Sequence, residues 1–116
     1  MYKKLMLDLD GYALSYDEID LLMNSFVGGV ILFSRNIKSI EQLKLLINSI
    51  KILFNDKKFP ILLDQEGGKV SRLNKIIDLS FFSQKLFAKF YKKDKILFLQ
   101  FYQIYINSIC DIFKYV

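Results

Sequence analysis

The chain has 116 residues, 53% of them apolar and 25% charged, which suits one domain with a modest core and excludes intrinsic disorder. The net charge is +5, but the lysines are scattered in ones and twos, so no basic stripe interleaved with aromatics offers a nucleic-acid face. The lone cysteine, Cys110, has no second thiol and no histidine beside it, so neither an internal disulfide nor a zinc site is expected.

Of 17 basic residues only two are arginine, Arg35 and Arg72, and Phe and Tyr are abundant while Trp is absent. Such usage fits a very AT-rich genome, where lysine is cheap information and each arginine is telling. After Lys3 and Lys4 the apolar run Leu5-Met6-Leu7 is too short for a secretory signal, so a cytoplasmic location is expected.

In chain order, residues 4–10 form a short apolar run ending in Asp8 and Asp10, with Gly11 as breaker, and predict a buried strand. Ser15 and Glu18 make a capping box, with Leu14 and Ile19 as a hydrophobic staple, and predict a helix to about Ser25. Residues 27–33 are continuously apolar, as in a strand covered on both faces, and end in the turn Ser34-Arg35-Asn36. Ser39 and Gln42 form a second capping box, and Leu43, Leu46, Ile47, Ile50 and Phe54 give the next helix one apolar face. A third strand begins near Phe59, tolerates Pro60 at its start, and ends at Asp64-Gln65-Glu66-Gly67-Gly68. Strands starting near residues 4, 28 and 59, separated by helices, imply parallel pairing with right-handed crossovers.

Beyond Leu79 the pattern weakens. Phe81, Phe82, Leu86, Phe87 and Phe90 suit a short helix, and residues 92–95 make a polar break. Residues 96–116 are long enough to span a bilayer, but Gln100, Gln103, Asn107 and Asp111 share one helical stripe, which favours a partly exposed helix. No repeat, linker or low-complexity tract interrupts the chain.

Asp8, Asp10, Arg35, Asp64 and Glu66 all fall at the C-terminal ends of the predicted strands, the edge where parallel α/β folds bind ligands. Carboxylates accept from sugar hydroxyls and a guanidinium donates to them, so the set suits a polyhydroxylated ligand. Acids at exposed strand ends are also ordinary, and on pattern alone a ligand site and a plain charged rim stay equally open.

Three blocks add to this: M-L-D-L-D-G-Y at residues 6–12, V-G-G-V-I-L-F-S-R-N at 27–36, and L-D-Q-E-G-G-K-V-S-R-L at 63–73. In order and spacing they resemble the bacterial β-N-acetylglucosaminidases of glycoside hydrolase family 3, firmly over residues 5–75 and fading afterwards. The resemblance implies an α/β fold: a partial TIM (β/α)8 barrel of three parallel strands with alternating helices plus a C-terminal helical tail. The 116 residues would then be one incomplete domain, a βαβαβ core over 1–75 and a loop with helices over 76–116. It also implies that Asp64 and Arg72 contact N-acetylglucosamine, with Asp8, Asp10, Arg35 and Glu66 as supporting residues whose more ordinary role is fold-holding ion pairs. Lys69 stands where the family often has Arg.

The family's acid/base loop and Asp nucleophile lie beyond the matched blocks, and this chain has no histidine, so no catalytic residue is assigned within it. Retaining hydrolysis needs both roles filled, and Asp64 with Glu66 is a poor substitute pair because their side chains should diverge. The expectation is a truncated β-N-acetylhexosaminidase acting on cell-wall amino sugars, without metal or cofactor. The alternative is a non-catalytic remnant or interaction protein. An N-acetylglucosamine-containing saccharide is the expected partner, with no nucleic acid, a membrane disfavoured but kept as a weaker reading through residues 96–116, and self-association through the open third strand.

Overall fold

A computed structural model describes residues 5–116 of the chain. Its first strand, β1, covers Leu5–Asp8, and Lys4, where the predicted strand began, lies outside the described residues. Helix α1 (Tyr16–Asn24) starts at the predicted capping box: the Ser15 hydroxyl accepts from the Glu18 N–H, and Glu18 Oε2 accepts from the Ser15 N–H at 2.8 Å. Glu18 Oε1 also accepts from the Asp10 N–H at 2.8 Å, which ties the loop after β1 to the helix start.

Strand β2 (Val27–Leu32) is followed by a 3-10 turn over Ser34–Asn36 and then by α2 (Ile40–Leu53). Ser39 caps α2 as expected, but the box closes differently, because Gln42 Oε1 accepts from the Lys38 N–H at 2.7 Å instead of from Ser39. The reason is the other end of that amide, which donates to Tyr12 O at 2.6 Å and Asn36 O at 3.1 Å and so turns the oxygen toward Lys38. The buried face of α2 is Leu43, Leu46, Ile47 and Ile50, as the spacing predicts.

Strand β3 is shorter than expected, Ile61–Leu63. Phe59 turns back to stack on Phe54, ring centroids 3.8 Å apart, while the Pro60 carbonyl still accepts from the Val30 N–H at 2.9 Å. The sheet order is β1-β2-β3, and both pairings are parallel, as predicted.

Register and alternation sort the sheet into two unlike faces. Leu7, Val30 and Ile61 lie side by side across the strands, with Leu32 beside Leu63, and this face joins Leu22 of α1 and the α2 stripe in the core. Asp8, Ile31 and Leu62 share the opposite face, with Met6 beside Gly29. That second face is largely bare, with Met6 47% and Leu62 42% exposed. The expectation that β2 is covered on both faces therefore fails in part: on this second face Gly29 is buried but Ile31 is only half-buried.

The tail forms α3 (Gln84–Lys93) and α4 (Lys95–Tyr115), capped by Ser83 and Asp94. Phe81 and Phe82 precede α3 instead of joining it, because Leu79 O accepts from the Gly68 and Phe82 N–H groups and holds a turn there. In α4 the predicted polar stripe is exposed throughout, while Tyr105 and Ile109 are buried. By length and composition alone α4 could cross a bilayer. In this fold its buried residues instead belong to the same core as the sheet.

Candidate functional site

The C-terminal ends of all three strands meet at one rim, and the chain places its two arginines there. Arg35 pairs with Asp8, and its Nε donates to Leu9 O at 2.9 Å, so it joins the end of β1 to the turn after β2. Its guanidinium carbon lies 4.9 Å from the centre of the Phe33 ring. The Arg72 guanidinium lies against the same ring at 5.1 Å. Arg72 Nη2 is 3.8 Å from Asp64 Oδ2, just past β3. The rim thus reads Asp8, Arg35, Phe33, Arg72, Asp64: two ion pairs joined through one aromatic ring.

The two pairs differ in kind. At 3.8 Å the Asp64–Arg72 pair is too long for a hydrogen bond, so both groups keep capacity for a third partner. Arg72 Nε is buried and has no acceptor among the described residues. A buried guanidinium N–H without an acceptor costs about 1–3 kcal/mol, and a ligand oxygen would relieve it. Asp8 and Arg35, in contrast, are engaged with each other and with backbone.

Of the other predicted residues, Asp10 contributes its backbone to the Glu18 carboxylate, and its own carboxylate makes no ion pair among the described residues. Glu66 is exposed and lines a cleft of about 840 Å³ between the end of β3, α3 and α4, together with Gln65, Phe87 and Tyr102. The structure therefore brings together Asp8, Arg35, Asp64 and Arg72, and leaves Asp10 and Glu66 outside that row. No group of three or more metal-ligating side chains occurs among the described residues.

Two residues that sequence reasoning passed over organise the rim. Asn36 is fully buried: its Nδ2 donates to Leu9 O at 2.8 Å and Gly11 O at 2.9 Å, and its Oδ1 accepts from the Phe33 N–H at 2.8 Å. It thereby fixes the backbone on which Phe33 and Arg35 stand. Gln65 does the same for the third turn: its Oε1 accepts from the Arg72 and Leu73 N–H groups at 2.7 and 3.2 Å, and its Nε2 donates to Ser71 Oγ at 3.1 Å. The loop between is tightly folded. Gly67 has φ +79°, and a Cβ there would lie 2.3 Å from Phe82 O, so only glycine fits. A polar residue directly after a strand-ending acid was the available signal for Gln65; for Asn36 there was none nearby in sequence.

No family model matches the chain. Over 70 residues, 59% of its length, it is 47% identical to a β-hexosaminidase of Histophilus somni (strain 2336) and 50% identical to one of Alkalilimnicola ehrlichii. It spans only about a fifth of the length of those relatives, 19% in each case. Among solved structures, NagZ from Neisseria gonorrhoeae in complex with zinc ion is similar with a TM-score of 0.67 and 34% identity. The same protein in complex with N-trifluoroacetyl-D-glucosamine gives a TM-score of 0.64 and 34% identity. Both matches cover 78% of this chain and 26% of the NagZ chain. In sequence and in structure, then, the chain carries a partial β-hexosaminidase-like region corresponding to part of NagZ.

Proposed function

We propose that this chain forms the amino-sugar-gripping part of a β-N-acetylhexosaminidase with a TIM (β/α)8 barrel, and that Asp64 and Arg72 hold N-acetylglucosamine. The observation that carries this reading is the loose Asp64–Arg72 pair with the buried, acceptor-less Arg72 Nε beside it. A carboxylate facing a forked guanidinium can accept from one sugar hydroxyl while donating to another oxygen of the same ring. Three parallel strands with one bare face support the barrel, since that face would point to the barrel interior.

Hydrolysis with retention requires a nucleophile and an acid/base. The rim holds no such pair: Asp64 faces Arg72, and Glu66 opens on the separate cleft. The 116 residues bind sugar and leave the glycosidic bond intact. In the cell the substrate class is cell-wall amino sugar, met in the cytoplasm. The bare face with its open β3 edge supports self-association of the isolated chain, which sedimentation at several concentrations would reveal.

The test is a titration of the isotopically labelled chain with N-acetylglucosamine. Amide shifts at Asp64, Arg72 and Phe33 should saturate, and Asp64→Ala should abolish them while the rest of the spectrum is kept. A chromogenic N-acetylglucosaminide should not be turned over. Absence of saturable shifts, or shifts that survive Asp64→Ala, would overturn the assignment.

A further inference from the structure

Lysines that stand in ones and twos along the sequence are gathered by the fold at the α3–α4 hairpin. Residues 84–95 hold five lysines and one acid, so four of the chain's five net positive charges fall within twelve residues. The acid, Asp94, is spent on the cap of α4, its Oδ1 accepting from the Ile96 and Leu97 N–H groups at 3.0 Å each. Lys85, Lys89, Lys92 and Lys93 follow at intervals of four, three and one, which lines them along one side of α3, away from its buried residue Phe87. All four are exposed, as is Lys95.

Beside this stripe the hairpin is apolar and bare. From Tyr91 to Ile104 every residue is exposed except Phe98, with Ile96 73% and Leu99 61% open to solvent. The residues that α4 buries in the core, Tyr105 and Ile109, come only in its second half. Exposed Ile and Leu next to a dense group of cations meet the two requirements of a helix resting in the headgroup layer of an anionic bilayer. The cations face phosphate, and the apolar side chains enter the acyl boundary. Tyr91, with Lys95 Nζ 5.2 Å from its ring centre, is the amphipathic residue type that sits at that depth. A nucleic acid would satisfy the lysines and leave Ile96 and Leu99 in water.

We propose that the α3–α4 hairpin docks the chain on an anionic lipid surface, its lysines on the headgroups and Ile96, Leu97 and Leu99 in the outer acyl layer. The hairpin lies on the bilayer and does not cross it, because Tyr105 and Ile109 stay in the protein core. This docking is independent of the sugar grip.

The chain should float in a density gradient with vesicles of phosphatidylcholine and phosphatidylglycerol in equal parts, and not with phosphatidylcholine alone. Flotation separates binding from self-association, because aggregates sink. Each lysine near such a surface is worth about a fivefold change in partitioning, so Lys92→Gln with Lys93→Gln should weaken binding about 25-fold. Added salt should weaken binding of the parent chain as well. Ile96→Ser with Leu99→Ser keeps every charge and should weaken binding by about tenfold or more. All four positions are exposed, so circular dichroism should show the helices intact in both variants. Equal flotation with both vesicle types, or none with the anionic ones, overturns the proposal. Undiminished binding by the serine variant also overturns it, as does tighter binding to polyuridylate than to the anionic vesicles, which would make the lysines a nucleic-acid surface.

Discussion

Replacing Asn36 with alanine should be the most damaging removal of an uncharged side chain at the rim. Three hydrogen bonds go, but their losses are unequal. Leu9 O keeps the Arg35 Nε donor, so its loss is small. Gly11 O is half-exposed and water can replace the amide, at about 0.5–1 kcal/mol. The Phe33 N–H is orphaned in a partly buried turn, which costs about 1–3 kcal/mol. Together these give about 2–4 kcal/mol. With a urea slope of about 1.5 kcal/mol/M for a domain of this size, the midpoint should fall by about 2 M. Asn36→Asp makes the point sharper. It keeps an acceptor for Phe33 but sets a carboxylate oxygen against two carbonyls, so at neutral pH it should be at least as destabilising as alanine. Those carbonyls and the burial raise the folded-state pKa of the new carboxyl, so the folded protein binds its proton more readily and stability recovers as pH falls. A midpoint shift below about 0.3 M for Asn36→Ala, or an Asn36→Asp variant indifferent to acid, would refute this account of the rim.

Gly67→Ala should prevent stable folding of the 67–82 turn, since the new methyl meets a backbone carbonyl and the Tyr105 hydroxyl and the left-handed φ adds strain; a melting temperature within a few degrees of the parent would contradict that. Glu18 is pushed up by burial, but hydrogen bonds from the Asp10 and Ser15 N–H groups and the Ser15 hydroxyl outweigh this and leave its carboxyl below the usual value. A depressed folded-state pKa contributes stability above the unfolded value and loses it as pH falls through the folded one. Glu18→Gln should therefore flatten the acid limb of the stability–pH curve below about pH 4.5, read by urea midpoints across pH. Leu62→Lys, on the bare face, should change stability by no more than about 0.5 kcal/mol, whereas a loss of several kcal/mol would mean that face is covered.

Much of this fold was legible because its signals are local. The Ser15–Glu18 box spans one helical turn, and the α2 stripe repeats every three or four residues. Asp64 and Arg72 stood out together because one eleven-residue block that resembles known β-N-acetylglucosaminidases holds both. What escaped reading depends on partners far along the chain. Asn36 reaches back 25 and 27 residues to Gly11 and Leu9, and nothing in Ser34-Arg35-Asn36 announces it. Phe59 reads as strand, yet stacking on Phe54 takes it out of the sheet. Phe81 and Phe82 have helical spacing, but Leu79 O is claimed by Gly68 and Phe82, so the helix waits for the Ser83 cap. Asp10 and Glu66 sit just past their strands, but Asp10 engages Glu18 through its backbone and Glu66 lines the cleft beside α3 and α4.

The two ends of the sheet are secured unequally. Among the described residues, the start of β1 is held by backbone bonds such as Leu5 N–H to Phe26 O at 3.3 Å, and its register is irregular between Leu5 and Met6. At the opposite end, charged side chains, an aromatic ring and a buried amide lace the three strand termini together. On warming, fraying should begin at the base and travel toward the rim, so the last portion of the sheet to melt is the portion that would touch a sugar.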